Sequence, residues 1–221
     1  MLLKWLENTL FNQLNPLMVA QLYENQHNRN QLITLLKEFT DKIGLPNQTY
    51  QLIAGLNAKD YITTNYDHLI PETLKARGLG FITIVDDLQI AYADSNQIKI
   101  LKMHGSLQAP FSPDSIIFTR NDFEAYDLKK PNIHNYIQTL LTTRTVLMLG
   151  YSINDPNFLM IRDRVRHYLN DHSKIIYFVT FDMPDYLVQY WRSGGFYPIN
   201  LDGSDKSASL DNWLKEVITL L

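Results

Sequence analysis

Three clusters of polar residues sit where an apolar run stops, and each carries side chains that could hold or act on a polar ligand. The first is Thr63-Thr64-Asn65-Tyr66-Asp67-His68, directly after the β-favouring Tyr61-Ile62-Thr63. Asn65 can donate and accept through one amide, and Asp67 is an ionised acceptor suited to a ribose hydroxyl or a neighbouring backbone loop. The second is Lys102-Met103-His104-Gly105-Ser106, and the third runs from Gly150 through Ser152 to Asp155. Gly150 suits a point where a ligand or backbone comes close, and Ser152 can bond a ribose hydroxyl. A fourth, slighter cluster is Thr180 and Asp182. Blander readings stand beside these. Asn65 or Asp67 could simply cap the next helix, as could Ser152 or Asp155 after Gly150. A lone His104 could equally be a satisfied core histidine.

The elements around the clusters decide whether they can meet. Apolar periodicity predicts helices over residues 1 to 14, from Pro16 through Tyr23, from Leu32 to Gly44 and from Tyr50 to Leu56, with a loop or a frayed helical join over Glu24 to Asn30. Strands are expected at Tyr61, at Phe81–Val85, at Gln97–Met103 and, briefly, at Ser115–Thr119. Asp86-Asp87 reads as a turn. A helix follows at His68–Ala76, then helices through Tyr126 and over Asn132–Thr142. The run Thr145-Val146-Leu147-Met148-Leu149 has the near-continuous apolar character of a buried parallel strand. A helix to about Leu169, a strand at Ile175–Val179, a helix at Pro184–Arg192, a strand at Tyr197–Leu201 and a final helix over Leu210–Leu221 complete the chain. This alternation argues an α/β fold: a three-layer, Rossmann-like, mostly parallel sheet behind a helical N-terminal segment. The expectation is one domain over 1–221, helical over 1–60 and α/β over 61–221. If the strands are parallel, their carboxyl ends bring the clusters to one rim, where such sheets bind nucleotides.

Composition excludes several classes. The chain has 221 residues, enough for one large core, and a net charge of −3, which gives no general attraction to nucleic acid or an anionic membrane. It has no cysteine, hence no disulfide, thiol nucleophile or cysteine-ligated zinc. No histidine pair or carboxylate group has metal-ligand spacing, so no metal is expected. Lys4 and Glu7 interrupt the first apolar stretch, so neither a signal peptide nor a membrane span is expected and the default location is the cytoplasm.

Taken together and in this order, Thr63-Thr64-Asn65-Tyr66-Asp67, Lys102-Met103-His104-Gly105 and Leu149-Gly150-Tyr151-Ser152-Ile153-Asn154-Asp155-Pro156-Asn157 resemble the motifs of SIR2-like domains. The likeness is to the bacterial group found in antiphage defence systems, and Phe118-Thr119-Arg120-Asn121-Asp122-Phe123 is similar to its intervening segment. It covers roughly residues 20 to 200. The resemblance implies a SIR2/DHS-like sheet that takes NAD as substrate and releases nicotinamide. It implies Asn65 as the residue placing water or a ribose hydroxyl at the anomeric carbon, and His104 as general base or ribose partner. Thr63, Thr64, Asn65, Asp67, Gly150, Ser152 and Asp155 become the NAD-binding set, with Asp67 orienting the ribose and Gly150 and Ser152 on the adenosine side.

One family feature has no counterpart. The opening strand and Gly-Ala-Gly-x-Ser-type loop, whose amides cradle pyrophosphate, are not found before Asn65, and Gly78-Leu79-Gly80 lies after it. The sequence leaves three explanations open: a shortened gene, a first strand supplied by a partner chain or a homo-oligomer, or a relative that no longer hydrolyses NAD. Two rival functions follow. One is a non-catalytic module that binds NAD or ADP-ribose or drives assembly. The other, an NAD-dependent deacylase, ranks behind it, since those enzymes usually carry a four-cysteine zinc module.

Overall fold

The computed structural model describes residues 15–94, 96–108, 112–151 and 174–221, with residues 163 and 167. The chain divides into two compact units, one formed by Met1–Pro46 with Ala58–Ile133, the other by Asn47–Asn57 with His134–Leu221. The helix expected over residues 1 to 14 and most of the one expected to end near Leu169 lie outside the described residues.

In the first unit, α1 (Pro16–Gln26) and α2 (Arg29–Thr40) precede β1 (Asp60–Thr63), confirming a helical N-terminal segment. Asn15 caps α1, accepting from the Leu17 amide at 2.9 Å, and Pro16 fills the first helical position, where its missing N–H costs nothing. The loop or helical join expected over Glu24 to Asn30 is a two-residue join at His27 and Asn28. Asn28 caps α2 at once by accepting from Gln31 N at 2.9 Å, so an asparagine-rich stretch became a helix start. After α3 (Gln48–Gly55), which falls in the second unit, and β1, the chain continues through α4 (Leu69–Ala76), β2 (Phe81–Ile84), α5 (Asp87–Ala91) and β3 (Ile98–Lys102). Asp86-Asp87, expected as a turn, starts α5: Gln89 Oε1 accepts from the Val85 and Asp86 amides at 2.6 and 3.0 Å and folds the segment back as a helical turn.

The three strands form a parallel sheet in the order β1-β3-β2. The central strand is the most buried, with Ile100 and Leu101 wholly covered. Each such side chain contributes about 1.5–3 kcal/mol relative to exposure.

Beyond β3 the expected strand at Ser115–Thr119 is not formed. Ser112 caps a 3-10 turn over Pro113–Ser115, and Ile116–Phe118 runs extended without a ladder. Its polar groups are already taken. Ile117 N donates to the His104 carbonyl at 2.9 Å, the Tyr66 hydroxyl donates to the Ile117 carbonyl at 2.5 Å, and Arg29 donates to the Ile116 carbonyl at 2.5 Å. With these bonds satisfied by side chains and one loop, no strand is needed to pair it. Then come α6 (Arg120–Glu124), α7 (Tyr126–Lys129) and the start of α8 (Pro131–Thr143), where Asp87 accepts from the Asn132 and Ile133 amides at 2.8 and 3.0 Å.

Asp122 pins this part of the unit. Its side chain is 6% exposed and meets Arg29 at 2.7 Å and Lys129 at 2.5 Å. It also accepts from the Phe118 and Thr119 amides, each at 3.0 Å. Burial alone would raise its pKa. The bonds from Lys129, the Thr119 and Phe118 amides and Arg29 overcome that and hold the carboxyl below the ordinary carboxylate range.

The second unit holds α3 (Gln48–Gly55), the rest of α8, β4 (Val146–Met148), β5 (Ile176–Phe181), α9 (Asp185–Ser193), β6 (Phe196–Leu201) and α10 (Lys206–Leu220). Its sheet is also parallel, ordered β4-β5-β6. Phe178, Trp191 and Phe196 meet edge to face at centroid separations of 5.8 to 6.3 Å and fasten α9 to the sheet. Thr49 donates to Asp211 at 2.6 Å, tying α3 to α10. The α/β class with parallel sheets is the one expected from the sequence.

Replacing Asp122 by Ala should destabilise the protein by about 3 kcal/mol at pH 7, because two cations and two amides lose one shared acceptor. The carboxyl is depressed, so its stabilisation is present above the ordinary carboxylate pKa and is lost as pH falls through its lower folded value. Urea titrations should therefore show a constant gap between variant and wild type down to about pH 4 that closes only in stronger acid.

Candidate active site

Parallel pairing sets the geometry of the first unit's strand ends. Thr63 stands in register with Lys102, and Met103 N donates to the Thr63 carbonyl at 2.9 Å. Both strands run the same way, so Asn65 and His104 each lie two residues beyond a paired position, on neighbouring strands. This is the crevice outside the carboxyl ends of a parallel sheet where such folds bind ligands.

On the β1 side, Thr63 Oγ1 accepts from the Asn65 amide at 3.0 Å and turns the chain out of the strand. That bond employs Thr63 locally. Thr64 is half-buried, and Asn65 is exposed. Asp67 Oδ1 accepts from Leu69 N at 3.0 Å, so this carboxylate does the helix-start work of the blander reading. Tyr66, between them, lies with its ring 6.4 Å from that of His104 and 5.9 Å from that of Phe118.

On the β3 side, His104 is 6% exposed, with its ring edge-on to Phe123 at 4.9 Å. Its carbonyl is the one held by Ile117 N. Gly105 follows with φ of +90°, and a Cβ there would stand 2.6 Å from the Ser115 carbonyl oxygen. Both the left-handed backbone and the close approach of another chain segment require glycine at this point. The residue beside His104 is thus fixed by backbone packing.

Two lysines that carry no role in the sequence reading complete this end. Lys102 and Lys130 are each 2% exposed. Lys102 Nζ donates to the Asp67 carbonyl, and Lys130 Nζ donates to the Met103 carbonyl at 3.0 Å. Burial lowers both from 10.5 to about 8, opposed for Lys102 by the charge of Asp67 and for Lys130 chiefly by Asp86 and Asp87. A lysine directly after Ile100-Leu101 was the available signal for the first. Nothing local marks the second, which sits between Lys129 and Pro131.

In the second unit, Gly150 follows β4 with φ of +58° and open space where a Cβ would point. Its glycine is required by backbone conformation alone. Ser152 and Asp155 lie outside the described residues. Asp182, from the fourth cluster, has φ of +47° and accepts from Gly203 N at 3.0 Å, which occupies it in tying the residues after β5 to those after β6. The first unit thus gathers Thr63, Thr64, Asn65, Asp67 and His104 at adjacent strand ends, and Gly150 belongs to the second.

The structure thus has a parallel α/β sheet with an exposed amide and a buried imidazole at neighbouring strand ends. The SIR2-like domain family matches residues 59–199, more than half of the chain, and the chain belongs to that family. It is similar to Defense-associated sirtuin 2 of Bacillus subtilis, 29% identical over 75% of this chain and 16% of the relative. It is also similar to the protein named NAD(+) hydrolase ThsA in Acinetobacter baumannii (strain 532279), 31% identical over 71% of this chain and 32% of the relative. The protein of the same name in Bacillus cereus (strain MSX-D12) is 34% identical over 67% of this chain and 31% of the relative. The chain therefore spans a third or less of the length of these relatives. Among the described residues no helix is long and apolar enough to cross a membrane.

Two measurements check this geometry. Gly105→Ala should cost about 2 kcal/mol or more in chemical denaturation, since the added methyl meets backbone that cannot rotate away. For Lys102, the unfolded chain binds more protons than the folded one between pH about 8 and 10.5, so stability rises with pH across that window and is flat below it. The difference in unfolding free energy between wild type and Lys102→Met should change over that interval and nowhere below it.

Proposed function

We propose that this chain carries an NAD+ hydrolase site that releases nicotinamide, as part of a bacterial antiphage defence effector. The observation that carries the reading is the register of β1 with β3, which supports Asn65 and His104 acting on one ligand. The names of its relatives, NAD(+) hydrolase and defence-associated sirtuin, support the substrate and the setting. The family match runs through both compact units, which supports reading them as parts of one SIR2-like domain.

Hydrolysis breaks the bond between the anomeric carbon and the nicotinamide nitrogen and forms one from that carbon to water oxygen. Nicotinamide leaves as a neutral base, so no acid has to protonate it. Asn65, exposed at the strand end, orients water or a ribose hydroxyl through its amide. His104 takes the proton released by the attacking water, or bonds the ribose hydroxyl that steadies the oxocarbenium-like state. In this reading Thr63 and Thr64 shape the turn under the ribose, Asp67 orders the loop, and Gly150, Ser152 and Asp155 serve the adenosine side. A cytoplasmic location, and a partner chain or second copy completing the sheet, belong to the same proposal.

Nicotinamide release from NAD by purified protein tests it. Asn65→Ala should abolish release, and His104→Ala should lower it by about 10²–10⁴-fold. Unchanged turnover in Asn65→Ala would remove the mechanism. NAD or ADP-ribose binding with no product from the wild type would instead support the non-catalytic module.

A further inference from the structure

We propose that Lys102 and Lys130 are positioning residues of this site, two buried ammonium groups that set the placement of Asn65 relative to His104. The inference rests on the hydrolase reading above and adds to it two residues that touch neither NAD nor the reacting atoms.

Burying a lysine is costly. An ammonium removed from water loses several kcal/mol of hydration, and a methionine of similar shape would fill the same space without that loss. Both lysines are nonetheless 2% exposed, and each donates to a backbone carbonyl rather than forming an ion pair among the described residues. The carbonyls they hold belong to the two strand-end segments that bear the site. Lys102 starts at the last residue of β3, two before His104, and reaches the carbonyl of Asp67, two after Asn65. It is a strut between the two loops. Lys130, at the end of α7, bonds the carbonyl of Met103, whose own N–H is bonded to Thr63. The peptide before His104 is thereby held from both sides.

Three other bonds show that this turn is constrained at nearly every peptide. Gly105 N donates to the Lys102 carbonyl at 3.1 Å, Ile117 N to the His104 carbonyl, and Tyr66, through its hydroxyl, to Ile117. Against that frame a core-filling role alone leaves the choice of a charged side chain without a reason. A strong, charge-assisted donor aimed at a carbonyl supplies one, since such bonds are about twice as strong as neutral ones.

The test compares kcat and KM for NAD in wild type, Lys102→Met and Lys130→Met, with folding checked by circular dichroism. Each variant should lose about 10- to 100-fold in kcat with KM little changed, the penalty for displacing a reacting group by a fraction of an ångström to an ångström. Because the chain has no cysteine, Lys102→Cys can be alkylated uniquely with 2-bromoethylamine in denaturant and refolded, which restores an ammonium on a side chain of nearly the same length. That treatment should recover most of the lost kcat. Unchanged kcat in both methionine variants would overturn the proposal, as would a loss in folded Lys102→Met that aminoethylation fails to reverse. Should Lys102→Met not fold, Lys102→Arg decides: it keeps a charged donor but displaces the carbonyl it holds, so kcat should fall in a folded protein, and an unaltered kcat counts against the role. A wild type that releases no nicotinamide overturns the hydrolase reading itself, and the positioning role with it. The two failures are thus told apart by the wild type alone.

Discussion

The parallel pairing of β1 with β3 is the constraint on which the candidate site depends. Strands that are consecutive neighbours in space need not be consecutive in sequence, and here β2 lies on the far side of β3. The pairing of β1 with β3 puts the segment after Thr63 beside the segment after Lys102. Because parallel strands end on the same side, two polar clusters separated by almost forty residues emerge together. Pairing β1 with β2 instead would leave Asn65 one strand away from His104.

What keeps the two loops from wandering is a set of buried charges, each placed on backbone groups. Asp122 gathers the Phe118 and Thr119 amides, and Arg29 reaches both that carboxylate and the Ile116 carbonyl. Lys102 and Lys130 do the equivalent for the carbonyls of Asp67 and Met103. Irregular segments carry donors and acceptors that no ladder satisfies, and in a buried position each unpaired one is expensive. Charged side chains from helices and from the last residue of β3 answer that need. Their desolvation is offset by strong, charge-assisted bonds.

The two glycines at strand ends differ in why they are glycine. Gly105 is confined by the Ser115 carbonyl, so its absent side chain makes room for protein. Gly150 faces open space and needs only its left-handed φ. A glycine after a strand therefore does not by itself announce a ligand. The same holds for carboxylates: Asp67 and Asp182 both sit in clusters that look receptive, and both spend an oxygen on a nearby backbone amide.

Much of this was legible in the sequence. Apolar runs bounded by glycine, proline and asparagine located all six described strands and most of the helices around them, because local periodicity follows from which face must be buried. Residue type and position also marked Asn65 and His104 as candidates, and the β1–β3 register places them on neighbouring strands. Two local readings went astray for a common reason. The Asp86-Asp87 turn and the Ser115–Thr119 strand were each decided by who accepts or donates a particular hydrogen bond: Gln89 at the start of α5, and Tyr66, Arg29 and His104 at the Ile116–Phe118 segment. The last of these involves partners far away in the chain. Strand order, the neighbourhood of Asn65 and His104, and the burial of Lys102 and Lys130 belong to the tertiary structure alone. A sequence pattern reports which groups prefer to leave water, and it carries no information on which distant group they will meet when they do.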